Sequence, residues 1–168
     1  MIDKGESVNL EFKQTLSLDL EIFHRKGKLE ARKSKKEKAE IAVLKTIVAF
    51  LNTKGGSLLI GVNDKGKVVG INDELSVFDN DSEDKFNLRL ENLLDNKIGK
   101  ECIPYRSVSS IIVNEKTVIK VDVDAANQPF FLGDSDFYVR NLASSVILKG
   151  RELVRYLDSH FGIRHQKS

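Results

Sequence analysis

Cysteine is almost absent from this sequence, which has only Cys102 among 168 residues. A single cysteine excludes an intramolecular disulfide and a cysteine-rich zinc site, and it is typical of a reducing compartment. The N-terminus, from Met1 to Lys4, does not resemble a signal peptide, and no apolar run reaches the roughly 18 residues of a membrane span. We therefore expect a cytoplasmic protein without zinc and without membrane contact.

The motifs of several enzyme classes are absent as well. Neither the Walker pattern nor the dinucleotide fingerprint occurs, so ATP is not an expected cofactor. No two of the three histidines, His24, His160 and His165, have metal-ligand spacing on a helix. Cys102 and Ser144 have no acid–base partners nearby in the sequence, which argues against nucleophilic catalysis.

The net charge of +2 conceals an uneven distribution of charged residues. Residues 25–38, here called the basic segment, contain two acidic residues and eight basic ones: Arg25, Lys26, Lys28, Arg32, Lys33, Lys35, Lys36 and Lys38. This segment carries +6 and the rest of the chain −4. Two interpretations are open, a flexible solvated loop and an arm that contacts phosphates. Because the segment holds no aromatic residue, contact with a nucleic-acid backbone is favoured over base stacking.

Hydrophobic periodicity predicts an α+β fold. An alternating pattern at 10–13 predicts a short strand, with Leu10 and Phe12 facing the core and Glu11 and Lys13 sharing the other face. Further strands are predicted at 57–62, 67–71, 105–113, 117–123, 137–140 and 145–148, and helices at about 36–53, 85–98 and 151–161.

We therefore expect a mixed α/β domain with about six strands, in a mainly antiparallel or mixed sheet, and about three helices. Residues 72–84 are polar and acidic and predict a loop. The length suits one domain over 1–168, with a basic insertion at about 24–38 and a frayed tail over 162–168.

Three carboxylates carry the candidate chemistry: Glu6, Glu11 and Asp64. Glu11 lies on a strand face beside Lys13, and Asp64 follows a buried strand, where side chains can converge at a sheet end. Converging carboxylates bind Mg²⁺ or Mn²⁺, which can activate water and stabilise charge on a phosphoryl group. An unbroken strand would put Glu6 and Glu11 on opposite faces, so they meet only if the chain turns near residues 5–9. The alternative, that all three are solvated surface groups, stays open.

Arg140 shares a strand face with Tyr138, and the two either form an edge pair or contact phosphate. Together with Lys54 and the basic segment, Arg140 completes the predicted set of nucleic-acid contacts.

Three sequence patterns, each present once, occur in a recognisable order along the chain. They are Gly5-Glu6-Ser7 followed by Leu10-Glu11-Phe12-Lys13; the run from Ala49 to Asp64 with Gly66, Gly70 and Ile71; and Phe137-Tyr138-Val139-Arg140-Asn141. In this order they resemble the Schlafen/AlbA-type domain, also described in bacteria as a DNA-binding or "divergent AAA" ATP-binding domain. The resemblance covers about residues 5–161, and the second pattern is the most specific.

The resemblance implies an α/β domain that binds nucleic acid. In animal Schlafens two such lobes form a metal-dependent endoribonuclease that acts on structured RNA such as tRNA, and its active-site carboxylates correspond here to Glu6, Glu11 and Asp64. The chain departs from that pattern in three ways: one cysteine cannot build the animal zinc cluster, the insertion between Lys13 and Ile41 is longer, and only one lobe is present. A homodimer would have to supply a second lobe.

We therefore expect one of two functions. The first is a metal-dependent endoribonuclease, with RNA favoured over DNA, in which Glu6, Glu11 and Asp64 hold Mg²⁺ or Mn²⁺ and Lys13 lies beside the scissile phosphate. The alternative is a non-catalytic DNA- or RNA-binding module, or an ATP-binding one, of a regulator or defence protein. That alternative needs the basic surface and not the carboxylates.

Overall fold

The computed structural model describes residues 1–163, so His165 and most of the predicted frayed tail lie outside the described residues. Within 1–163 the chain forms six strands: β1 (Leu10–Lys13), β2 (Gly56–Ile60), β3 (Arg106–Val113), β4 (Lys116–Val123), β5 (Phe137–Asn141) and β6 (Ser144–Leu148). It also forms six α-helices: α1 (Leu20–Lys26), α2 (Lys28–Lys33), α3 (Glu37–Leu51), α4 (Asn72–Phe78), α5 (Glu83–Lys97) and α6 (Gly150–Phe161).

The strands form two sheets, which confirms the predicted α+β class. The larger sheet has the order β1-β2-β4-β3. Its β1 and β2 are parallel, and the β2–β4 and β4–β3 pairs are antiparallel. The smaller sheet is the β5–β6 hairpin. The parallel pair needs a long crossover, and α1, α2 and α3 supply it.

Helix α3 packs on one face of the larger sheet and contributes to the main core. Its residues Leu44, Ile47 and Leu51 are buried against β2 and β4, as the periodicity predicts. Ile41 was expected on the same face but is 42% exposed, because it lines an open groove between α3 and α5. After the helix, Gly55 has φ +75°, and a Cβ there would lie 2.5 Å from the carbonyl oxygen of Val123.

The opposite face of the larger sheet carries a second, smaller core. Leu10 and Phe12 pack there with Leu59 and Val118, so the predicted inward face of β1 is confirmed. Glu11 and Lys13 lie on the other face of β1, the face that α3 shares, because successive side chains alternate.

The predicted strand at 67–71 is wrong. Only an isolated bridge between Val62 and Val68 forms there. The reason is that β2 pairs with β1 on one side and β4 on the other, so both hydrogen-bonding edges of β2 are already occupied.

Three helices were absent from the predicted set, namely α1, α2 and α4. The polar stretch expected as a loop begins with α4, because Glu74, Leu75 and Val77 turn inward and are buried. The basic segment is also helical rather than a loose loop. Ala31 in α2 packs with Leu18 and Val77, which anchors the segment to the domain.

Candidate nucleic-acid interface and carboxylate pair

A tight turn precedes β1 and brings two of the predicted carboxylates together. The backbone N–H of Ser7 donates to the Leu10 carbonyl at 2.9 Å, and the Leu10 N–H donates back to Ser7 at 3.5 Å. The chain therefore reverses between these two residues. This is the turn within residues 5–9 that the convergence of Glu6 and Glu11 requires.

Glu6 lies along the outer edge of β1. Its Oε1 accepts a hydrogen bond from the backbone N–H of Phe12 at 3.0 Å, so the side chain covers an edge that no strand pairs with in the described chain. Burial and the neighbouring Glu11 carboxyl raise the pKa of Glu6 above its ordinary value, and the Phe12 bond opposes this only in part. Glu6 is therefore the member of the pair that protonates more readily.

Glu11 is buried, and each of its two oxygens has its own cation. Lys13 Nζ lies 2.8 Å from Oε1, and Arg140 Nη2 lies 2.6 Å from Oε2. Burial alone would raise the pKa of Glu11, but the bonds from Lys13 and Arg140 outweigh it and the pKa is lowered. Glu11 is thus held ionised beside Glu6.

Arg140 holds this arrangement in place. Its side chain is 1% exposed. Besides Glu11, its guanidinium donates to the carbonyl oxygens of Ser7 at 2.9 Å and Val8 at 3.3 Å, and it stacks over the ring of Phe50 at 5.1 Å. These bonds tie β5 to the turn before β1.

The structure does not support the predicted phosphate contact of Arg140, because its buried guanidinium is already bonded within the protein. The sequence offered one signal of this role. Arg140 shares a strand face with the buried Tyr138, which favours burial of Arg140 as well. Its hydrogen-bond partners, however, lie about 130 residues away in the chain.

Asp64 stands apart from the pair. It is exposed, in the turn that follows β2, and the neighbouring Gly66 lies close to the Phe12 side chain on the opposite face of β1 from Glu11. Among residues 1–163, no group of three or more His, Cys, Asp and Glu side chains is placed to hold a metal ion.

The fold thus brings Glu6 and Glu11 close together. A metal site at this pair stays a prediction. The donor set suits the chemistry of Mg²⁺, which proteins often bind through one or two carboxylates with the remaining positions left to water and phosphate. Burial is the main cause of the raised pKa of Glu6, and repulsion from Glu11 adds to it.

All eight basic residues of the basic segment are exposed, although Ala31 between them is buried. Three of its cations have carboxylate partners: Arg25 with Glu21, Lys33 with Glu30 and Lys35 with Glu40. Within residues 1–163, the other five have no carboxylate within 4.0 Å: Arg32, whose Nε donates to the Val77 carbonyl oxygen at 2.9 Å, and the four lysines Lys26, Lys28, Lys36 and Lys38. These four are available for an external anion.

A groove of about 370 Å³ lies between the end of β1 and the start of α3, and neither Glu6 nor Glu11 lines it. Lys13 lines it from the end of β1, and Lys36 and Lys38 line it from the start of α3. Lys13 therefore contacts Glu11 and the groove at once. Lys54, the other predicted contact, is exposed but does not line this groove.

A second charged cluster lies beside the groove and was missed by the sequence reasoning. Arg89 of α5 binds both oxygens of Asp79 at 2.9 Å and Glu74 at 3.2 Å, and both carboxylates are buried. Glu74 also accepts the backbone N–H groups of Leu16 and Ser17. Burial raises the pKa of Glu74, although Arg89 and these bonds act against it. The cluster fixes the chain between β1 and α1, which forms one wall of the groove.

Fold and site together define an α+β domain with a groove that is lined by three lysines and two acidic residues, Asp19 and Glu21, and that reaches the carboxylate pair through Lys13. Within residues 1–163, no helix is long and apolar enough to cross a membrane.

The chain belongs to the Schlafen AlbA_2 family, whose sequence profile matches residues 6–149. Membership indicates nucleic-acid binding. No curated protein matches the chain. Among solved structures, the chain is similar to the DIP2311 protein from Corynebacterium diphtheriae, with 20% identity and a TM-score of 0.60. The match covers 92% of this chain and 24% of that one, so this chain spans about a quarter of that protein, and the likeness concerns the fold alone.

Proposed function

We propose that this domain binds structured RNA in the groove beside β1 and cleaves its backbone with a divalent metal ion. One observation carries the proposal: Lys13 is bonded to Glu11 and also lines the groove with Lys36 and Lys38. A phosphate held by the three ammonium groups would lie next to the carboxylate pair. Tracking of a polyanion by lysine side chains of this kind is how most nucleic-acid affinity arises.

The residues have distinct parts in the proposed reaction. Glu6 and Glu11 would hold Mg²⁺ or Mn²⁺, with Asp64 as a third ligand if its exposed turn approaches them, and the ion would supply charge neutralisation for a phosphoryl group. Lys13 would neutralise the phosphate and keep Glu11 oriented. Glu6 would bind the ion as an ionised carboxylate, so it has no separate role as a proton carrier.

The binding proposal predicts a strong effect of charge in the groove. Replacing Lys36 and Lys38 by glutamate should weaken binding of a labelled RNA hairpin by at least about tenfold and flatten the dependence on salt, because roughly one counterion is released per phosphate contact. Fluorescence anisotropy over a series of salt concentrations measures both quantities.

The matched control makes the same change in charge elsewhere. Glutamate at the exposed Lys100 and Lys149 alters the net charge equally but lies outside the groove. An equal loss in the control, or binding that does not depend on salt, would remove the groove as the interface.

The cleavage proposal predicts that carboxamide variants stop the reaction without stopping binding. Glu6→Gln keeps an oxygen to accept the Phe12 N–H, and Asp64→Asn changes an exposed turn, so both should fold. We expect cleavage of tRNA with Mn²⁺ to fall about 100-fold or more in Glu6→Gln, since a bound metal contributes several kcal/mol to the transition state. Gel analysis of purified variants, with and without chelator, measures this.

An exposed carboxylate outside the site provides the control, and Asp73→Asn should cleave like the wild type. Equal cleavage by every variant would point to a contaminating nuclease. Binding without cleavage by the wild type would select the alternative function.

That alternative is a non-catalytic DNA- or RNA-binding module of a regulator or defence protein. The position of Asp64, apart from Glu6 and Glu11, favours it. ATP binding has no phosphate-binding loop in the sequence to support it. A preference for RNA over DNA, a cytoplasmic location and a homodimeric state also belong to the proposal.

A further inference from the structure

The two outer edges of the larger sheet differ. At the β1 edge, the Glu6 side chain and the Ser7 bridge occupy backbone groups that would otherwise be free. At the other edge, β3 pairs with β4 along its whole length, and within residues 1–163 no strand pairs with its outer side. The fold therefore covers one edge and leaves the longer one open.

The open edge lacks the features that usually prevent pairing. Exposed edge strands are normally short or interrupted by charges, proline or bulges. Strand β3 has eight residues, its register with β4 is unbroken, and Ser107–Val113 contains neither charge nor proline. Ile112, near its end, is 69% exposed although it is a large apolar residue. Such an edge is suited to receive another strand.

We propose that β3 pairs antiparallel with β3 of a second copy of this chain, which joins two four-stranded sheets into one of eight strands. A two-fold axis at Ser110 allows two symmetry-related apolar pairs between the copies of β3. With Ser110 on the two-fold axis, Val108 lies opposite Ile112 of the partner subunit, and Ser109 lies opposite Ile111 of the partner subunit.

Each of these pairs places side chains on the same face of the combined sheet, and none brings like charges together. The exposed Ile112 gains an apolar neighbour in both copies at once. A two-fold contact of one patch with itself is the commonest arrangement of homodimers.

The pairing gives the proposed homodimer an interface and also fixes the distance between its two carboxylate pairs. Strand β1 then lies at each outer end of the joined sheet, seven inter-strand spacings of roughly 4.8 Å, or about 34 Å, from its copy. The carboxylate pairs are too far apart to share one phosphate. Each groove is complete in itself, and the dimer presents two of them to one nucleic acid, so binding gains from bivalency.

The mass of the protein in solution tests the pairing. Sedimentation equilibrium should show a doubling of mass with rising concentration, and Ile112→Lys should return it to the mass of one chain, because a charge would face an apolar residue across the interface. Leu142→Lys replaces another exposed apolar residue, one that is 78% exposed in the β5–β6 turn, and should leave the dimer intact.

The register is tested by a cysteine on the two-fold axis. Ser110→Cys should form a disulfide between chains on mild oxidation, since directly opposite Cα atoms lie about 4.5–5.5 Å apart in an antiparallel pair, within the range that a disulfide spans. Ser107→Cys, which would face Val113 of the partner subunit, should not. Cys102 is buried and does not interfere.

The outcomes separate the inference from the proposed function. A wild type that keeps the mass of one chain at every concentration overturns the homodimer and this interface together. A dimer that persists in Ile112→Lys and does not cross-link through Ser110→Cys overturns the interface alone. RNA binding by the monomeric Ile112→Lys variant, weaker than the wild type by the loss of bivalency, would leave the groove proposal standing.

Discussion

Replacement of Arg140 by methionine is expected to lower the free energy of unfolding by about 3–5 kcal/mol. The change removes the cation 2.6 Å from the buried carboxylate of Glu11 and the donors to the Ser7 and Val8 carbonyl oxygens. Lys13 alone then faces Glu11, and the turn that positions Glu6 loses its attachment to β5. Urea denaturation followed by far-ultraviolet circular dichroism measures the difference.

Two further variants separate charge from shape. Arg140→Lys keeps a cation but not the planar fork of donors, so we expect an intermediate loss. Arg155→Met makes the same change at an exposed position of α6 and should stay within about 0.5 kcal/mol of the wild type. A loss below about 1 kcal/mol in Arg140→Met would contradict the structural role given to this residue.

The pH dependence of the free energy of unfolding is a second measure of the contact between Arg140 and Glu11. The pKa of Glu11 is lowered in the folded protein, so its contribution is present above the ordinary carboxyl pKa and is lost as the pH falls through the lowered one. The wild type should therefore lose stability as it is acidified, and Arg140→Met should lose less over that range. In Glu11→Gln/Arg140→Met the combined loss should be smaller than the sum of the two single losses.

Local patterns predicted the elements whose signals are contained within them. The alternation at β1, the apolar face of α3 and the turn at Asn114 between β3 and β4 each depend on neighbouring residues, and all three are present. Pairing between distant segments was not accessible in the same way. Nothing near Leu10 specifies a parallel partner at Ser57, and both sides of β2 are occupied by strands distant in sequence.

The site was predicted in part for the same reason. Glu6, Glu11 and Lys13 lie within one short stretch, and a single turn is enough to bring them together. Arg140 looked like a surface cation, because its burial depends on the Phe50 ring and the Ser7 turn, both far away in the chain. A charged residue appears the same in a sequence whether its partner is water or a buried carboxylate.

Helix α4 shows most clearly that the burial of a charged residue depends on partners distant in the sequence. Its buried acidic residues also lead to the second large predicted loss of stability. Its acidic residues gave the pattern of a solvated loop, yet Glu74 and Asp79 are buried because Arg89 reaches them from α5. Arg89→Met should therefore cost about 3–5 kcal/mol, since it leaves two buried carboxylates without their cation. Denaturation at several pH values measures this loss.

The loss in Arg89→Met should depend on pH in the same direction as the loss in Arg140→Met, since each variant removes a cation from a buried carboxylate. Burial already raises the pKa of Glu74, and without Arg89 its carboxyl would bind a proton still more readily in the folded protein than in the unfolded chain. A group with a raised folded pKa stabilises the fold at low pH and loses that contribution as the pH rises through the raised value. The deficit should thus be largest at neutral pH and shrink towards pH values near the ordinary carboxyl pKa.

Adding Asp79→Asn to Arg89→Met should recover part of the neutral-pH loss, because it removes one of the two uncompensated charges. Lys85→Met, a change of an exposed cation on the same helix, is the matched control and should have little effect at any pH. A deficit in Arg89→Met that is constant across pH would mean that Arg89 stabilises the domain through packing on Phe78 and Phe86 rather than through the two carboxylates.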